Sequence, residues 1–301
     1  MSASNSRASR RAVLALGVLA VTGGGAAGAG AVWRMNAKAA DPARLASGSP
    51  SPTPSPTPDY VALTTAKVAS YVADNGNGHI TVAVRDRTSD VALTVGKTRF
   101  QSASIVKVDI LAALLLRAKQ QGKKITDSDR YKAEKMITAS DNDAATSLFT
   151  KIGGKSGLTA ANKTFGMKET TPSVHWGMAM TTAADQVRLL TTLTDEAGPL
   201  DEAGRAYLFD LMSQVEEDQD WGVPAAAGPD TTATYVKNGW DNISADNGLW
   251  QVNTIGRLVE PGRDWLVAVL SGHHETQTAG IKMVEAVAKY TLRELRKIPQ
   301  A

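Results

Sequence analysis

The chain has 301 residues, 43% hydrophobic and 21% charged, enough to bury a core for one large domain or two small ones. The formal charge is +3, but residues 1–58 hold six basic residues against Asp41 alone, leaving 27 of the 33 basic and 29 of the 30 acidic residues for the remainder. The globular part is therefore near neutral, which excludes a nucleic-acid footprint, and the absence of cysteine excludes a disulfide framework or a lipid-modified cysteine.

Arg7, Arg10 and Arg11 precede an uncharged run from Ala12 to Trp33, with small residues at Ala27-Gly28-Ala29. That pattern predicts a signal peptide or an N-terminal membrane anchor over residues 1–33, with the arginines left inside. Ser9-Arg10-Arg11-Ala12-Val13-Leu14 also resembles a twin-arginine signal, so both export routes stay open. A buried core helix is the alternative, and the basic flank and the glycines at 23–25 and 28 argue against it. Residues 34–58 read as a linker, because prolines alternating with Ser and Thr from Ser49 to Pro58 have no apolar face to bury. In polyproline II these ten residues make a stalk of roughly 30 Å. The expected location is extracellular or in the cell envelope, with the membrane met only through the N-terminal segment.

From residue 59 onward the chain is expected to form a single domain, 59–301. A helical pattern runs from Asp59 through Leu63, Val68 and Tyr71 to the breaker Asn75-Gly76-Asn77-Gly78. Residues 79–85 alternate and are rich in β-branched side chains, a strand; a turn at 87–90 leads to a second strand over 91–95. Residues 104–120 carry Ile105, Val108, Ile110, Leu111, Leu114 and Leu115 at helical spacing. Further helices are expected over 129–139, 142–151, 157–164, 182–196 and 201–215. Strand signals return at 233–237, 248–257 and 264–271, and a last helix covers 278–295. Strands at both ends of a helical block imply an α+β fold, with an antiparallel sheet built from both chain ends and an all-helical subdomain inserted.

Three short motifs fall at informative places in this order. Ser104 and Lys107, three apart at the head of an apolar helix, share a face on which an amine can take a hydroxyl proton; a serine N-cap followed by an ordinary lysine is the plainer alternative. Ser140-Asp141-Asn142 lies where one helix ends and another begins, a place that also suits capping residues. Lys237-Asn238-Gly239 closes a strand and also reads as a strand end with a glycine turn. Together, and in this order, they resemble the Ser-x-x-Lys, Ser-Asp-Asn and Lys-Thr-Gly set of the serine β-lactamase and penicillin-binding protein superfamily. The resemblance covers residues 60–297, including the Thr181-Thr182-Ala183-Ala184 helix start, and is nearest to class A β-lactamase-related serine hydrolases of exported bacterial proteins.

The resemblance implies an acyl-enzyme at Ser104, with Lys107 as the base once burial and Lys237 lower its pKa. Ser140 would relay a proton to the leaving nitrogen, and Asn142 would hold Lys107 and bind a substrate amide. Lys237 and Asn238 would meet a substrate carboxylate, Gly239 completes that motif, and the N–H groups of Ser104 and Trp240 would form the oxyanion hole. The expected substrate is a small-molecule β-lactam or a peptidoglycan peptide, handled by a monomer without cofactor or metal. Two departures matter. Asn238 replaces the hydroxyl of the third motif, and the loop between Gly166 and Thr181 is short, offering Glu169 alone as a deacylation base or else a solvated charge. In that loop His175-Trp176-Gly177 either lines the cleft or packs locally. His273-His274-Glu275 has the residue types of a metal site, but neighbouring strand residues point to opposite faces, which favours a loop. No Gly-x-Ser-x-Gly elbow is present, against an α/β-hydrolase. Trp221, Trp240, Trp250 and Trp265 offer either a sugar or peptide platform or core packing.

Overall fold

A computed structural model describes residues 59–76 and 79–300; the expected signal segment, 1–33, and linker, 34–58, lie outside the described residues. Helix α1, Tyr60–Asn75, starts where the Asp59 carboxylate accepts from the Ala62 amide and stops at Gly76. Strands β1, Ile80–Asp86, and β2, Ala92–Val95, form a hairpin, and a two-residue strand β3, Phe100–Gln101, leads into a 3-10 turn, Ala103–Ile105. The helical block follows as α2 Val106–Gln120, α3 Asp127–Thr138, α4 Asn142–Lys151, α5 Gly154–Thr164, α6 Ala183–Thr194 and α7 Glu202–Met212. Within it β4, Met180–Thr181, pairs back onto β3. The chain closes with β5 Ala233–Ile243, β6 Leu249–Glu260, β7 Arg263–His274 and α8 Gln277–Leu295.

The sheet order is β2-β1-β7-β6-β5, with every neighbouring pair antiparallel. Strand β1 meets β7 in register from Ile80 opposite Ser271 to Asp86 opposite Trp265, so the first and last strands of the chain are welded at the sheet centre. This is the expected α+β architecture, with the helices α2–α7 inserted between the two sets of strands. Because side chains alternate along a strand, β7 feeds both cores. Leu266, Ala268 and Leu270 join the cluster of the helical block, while Trp265, Val267 and Val269 pack with Val284, Val287, Ala288 and Leu292 of α8. Each such fully buried side chain contributes about 1.5–3 kcal/mol, which is why the central strand tolerates no polar face.

Two local readings are corrected. Lys237-Asn238-Gly239 does not end a strand: β5 continues to Ile243, paired with β6 without a break from Ala233 opposite Val259 to Ile243 opposite Leu249. Gly239 pairs with Asn253 as an ordinary strand residue, so the glycine was a false turn signal. Helix α2 begins at Val106 rather than Ser104, and no side chain among the described residues caps its start, which removes the reading of Ser104 as a helix cap. The β3–β4 pair was missed because two residues are too few for alternation to register.

Candidate active site

Ser104 sits in the middle of the 3-10 turn that joins β3 to α2, and the turn is fixed from three directions. From the sheet, the fully buried Asn253 amide donates to Gln101 O and Ser102 O at 2.9 and 3.2 Å. From the short loop, Ala179 O accepts from Ser102 N at 2.7 Å. From β5, Gly239 comes so close that a Cβ there would lie 2.6 Å from Ser104 N and 2.7 Å from Ile105 N. Ala103, just before the serine, takes a left-handed φ of 45°, a conformation that costs a non-glycine residue about 1–3 kcal/mol and is held only by such surroundings. Ser104 itself is partly exposed, and its Oγ makes no hydrogen bond among the described residues.

Lys107 is fully buried in the first turn of α2. Its Nζ donates to Ser140 O at 2.5 Å, Ser140 Oγ at 3.0 Å and Asn142 Oδ1 at 2.8 Å. No carboxylate pairs with it among the described residues, and burial pulls its pKa down to about 7, opposed by the charge of Asp141. Lys237, also fully buried, projects from β5 and donates to the same Ser140 Oγ at 3.0 Å and to Asn238 O at 3.2 Å. Burial, and then the charge of Lys107, hold it well below the ordinary lysine range. One hydroxyl oxygen therefore bridges two buried amines. Both its lone pairs are engaged, which leaves its proton free to be donated elsewhere.

The capping reading of Ser140-Asp141-Asn142 is half right. Asp141 caps α4, its carboxylate accepting from Ala144 N at 2.7 Å, while Ser140 takes a left-handed φ of 55° that turns its hydroxyl toward the lysines. Asn142 gives its oxygen to Lys107, so its exposed Nδ2 group, without a partner among the described residues, faces outward and can meet a ligand carbonyl.

Asn238 does not join this cluster. Alternation along β5 puts it on the face opposite Lys237, where its buried Nδ2 donates to Gln219 O at 2.8 Å and Trp221 O at 2.9 Å. With both amide hydrogens engaged, it cannot bind a substrate carboxylate as expected. It acts instead on the segment 219–221, whose Gln219 Nε2 reaches Ala139 O at 3.0 Å, next to Ser140. Trp240 lies on that same side and packs on Trp221 with ring centroids 5.8 Å apart.

Glu169 is also outside the cluster. It is exposed, and its carboxylate accepts only a long 3.4 Å bond from Thr182 Oγ1 among the described residues. The loop base is bound instead by the buried Asp185, which accepts from the amides of Lys168, Glu169 and Thr170 and pairs with Arg188. Beside Lys107 the loop places Trp176, whose ring centroid is 4.9 Å from Nζ. A groove of about 540 Å³ opens next to it, lined among others by Phe149, His175, Trp176, Met178 and Asp241. A larger cavity of about 700 Å³, lined by Arg87, Tyr207, Tyr235 and Arg257, contains none of the motif residues.

The other singled-out residues go elsewhere. His273, left-handed at a φ of 65°, meets Asp246 and stacks on His79, while His274 turns to Ser271 Oγ; both lie at the end of β7 and not in the expected loop. Trp265 is core, and Trp250 is partly buried against the same cluster. Sequence reading missed Asn253, Gln219 and the closeness of Gly239 to Ser104, none of which carries a motif signature.

The chain is similar to known proteins over most of the described domain. The model of the family described as "Beta-lactamase enzyme family" matches residues 130–295, more than half of the chain, including Ser140, Asn142 and Lys237. Proteins named "Putative lipoprotein LppW" from Mycobacterium tuberculosis and Mycobacterium bovis are 28% identical over 245 residues, covering 78% of this chain and 74% of theirs. Among solved structures, an acyl-enzyme complex of a PBP-A mutant with penicillin G is similar at a TM-score of 0.68 and 20% identity, over 79% of this chain and 97% of that one. A class A β-lactamase from Mycobacterium abscessus is similar at a TM-score of 0.63 and 23% identity, over 77% of this chain and 99% of that one.

Proposed function

The chain belongs to the beta-lactamase enzyme family, and on that premise we propose that it is an exported serine hydrolase acylated at Ser104 by β-lactams or related peptide amides. The observation that carries this reading is the Ser140 hydroxyl, 3.0 Å from both Lys107 and Lys237. Ser104 Oγ attacks the carbonyl carbon while its proton passes to the neutral Lys107 amine; the carbon–nitrogen bond then breaks, and the leaving nitrogen is protonated through Ser140 Oγ. A pKa of about 7 leaves a large neutral fraction of Lys107 at physiological pH. Lys237 meets the substrate carboxylate, the Asn142 amide binds the acyl side, and the N–H groups of Ser104 and Trp240 receive the oxyanion, an arrangement that needs a glycine at 239. The relatives named as lipoproteins support an envelope location, although this chain has no cysteine to carry a lipid. Residues 1–33 would then direct export and residues 34–58 would hold the domain 59–301 away from the surface.

Release is expected to be slow, because Glu169 is engaged with Thr182 and not with the cluster. That observation also favours a second reading, a peptidase or esterase on cell-wall peptides whose acyl-enzyme is resolved by an acceptor other than water. The test is intact mass after exposure to a penicillin, with Ser104→Ala as control and a chromogenic cephalosporin alongside. A persistent adduct on the native chain and none on the variant is the expected result. No adduct and no turnover would leave only a non-catalytic wall-binding or β-lactam-sensing module, and rapid turnover would overturn the slow-release part.

A further inference from the structure

Lys107 has a wet chemistry and a dry neighbour. Three acceptors, Ser140 O, Ser140 Oγ and Asn142 Oδ1, surround its Nζ on the side of α4. A further approach is covered by the Trp176 ring, centroid 4.9 Å away. The indole is tethered at both ends. Its Nε1 donates to Thr146 Oγ1 at 3.1 Å, and that hydroxyl donates in turn to Asn142 O at 2.9 Å, one turn back on α4. Its backbone turn, Trp176–Met178, is pinned to the turn that carries the serine: Ser102 Oγ donates to Gly177 O at 3.4 Å, and a Cβ on Gly177 would lie 3.9 Å from Ala103 Cα. The flanking Val174 and Met178 are 69% and 49% exposed, so the loop offers this side of the site an apolar face and no carboxylate.

We infer that Trp176, latched to Thr146, is a lid over Lys107 that keeps hydrolytic water from the base and thereby sets the lifetime of the acyl-enzyme. The inference rests on the acylation of Ser104 proposed above. Hydrolysis of that ester requires water oxygen to add to the acyl carbon while one of its protons moves to neutral Lys107 Nζ. The carbon–Oγ bond then breaks, Ser104 Oγ takes the proton back from Lys107, and the acid leaves with the water oxygen and its other hydrogen. With Glu169 turned to Thr182, the base left for this step is the one the proposed acylation already uses, Lys107, and the water has to approach it. The indole fills that approach with an apolar face, and its attraction for the charged amine opposes the neutral form that accepts the proton. Trp176 is therefore a positioning residue, acting on the base rather than on the substrate.

The experiment follows a penicillin adduct by intact mass over time in the native chain and in Trp176→Ala, Trp176→Phe and Thr146→Val, with melting temperatures recorded in parallel. Trp176→Ala is expected to shorten the adduct lifetime about a hundredfold, the lower end of what admitting general-base catalysis supplies. Trp176→Phe keeps an aromatic face but loses the Nε1 donor to Thr146, so it is expected to give an intermediate lifetime. Thr146→Val, at an exposed position, keeps the indole but frees it, and gives an intermediate lifetime at an unchanged melting temperature; it decides the matter if Trp176→Ala does not fold. Adducts on Trp176→Ala and Thr146→Val as long-lived as the native one would overturn the lid while leaving acylation intact. No adduct on the native chain would overturn both readings.

Discussion

At the scale of single residues, the site works by desolvation more than by attraction. Lys107 and Lys237 have no carboxylate partner among the described residues and share one hydroxyl, and burial disfavours the charged form of each. The proposed acylation needs neutral Lys107, so its rate should rise with pH and level off above a midpoint near 7. Asp141 pushes that midpoint up by its charge while capping α4. Asn is as good a cap as Asp, so Asp141→Asn should leave α4 intact and move the midpoint to lower pH. The pH profile of adduct formation is the measurement; an unmoved or raised midpoint would remove Asp141 from the electrostatics of the base.

At the scale of elements, the site is an edge effect of β5. The strand supplies Lys237 on one face and Asn238 on the other. Lys237 reaches Ser140, while Asn238 binds the segment 219–221, which in turn holds Ala139. One strand thus fixes the α3–α4 turn directly and through a strap. Gly239 between them is required by proximity rather than by turning, since a side chain there would strike the backbone of Ser104 and Ile105. Gly239→Ala should therefore slow adduct formation about a hundredfold, the scale of losing one oxyanion donor, while the sheet still folds. Acylation kinetics together with circular dichroism separate the two effects, and native acylation in the variant would show that β5 can shift without consequence.

At the scale of the whole molecule, stability carries a pH signature from a residue next to the site but outside its chemistry. Asp109, two residues beyond Lys107 on α2, is fully buried, and neither carboxylate oxygen has a hydrogen-bond partner among the described residues. Burial raises its pKa to about 8, with the charge of Asp185 adding to the rise and the Asn162 amide opposing it. The folded state therefore holds a proton that the unfolded chain releases near pH 4. Stability from this group is complete below that pH and is lost as pH rises toward 8, at up to about 1.4 kcal/mol per pH unit. Asp109→Asn, neutral throughout, should flatten that slope in urea unfolding between pH 5 and 8; an unchanged slope would mean that Asp109 does not titrate in this range. What the sequence by itself determined was local and periodic. It determined the order of helices and strands, the segregation that makes the fold α+β, and the places of the Ser104, Ser140 and Lys237 motifs along that order. The side-chain partners were decided only in the tertiary structure. Whether Asn238 faces the cleft depends on the parity of a strand whose end was misread at Gly239, and whether Glu169 reaches the serine depends on a loop folded around Asp185. Trp176 reaches Lys107 across 69 positions of chain, a distance that no periodicity spans. Periodicity reports which face of an element is apolar; which residues of other elements meet that face is fixed only when the layers pack.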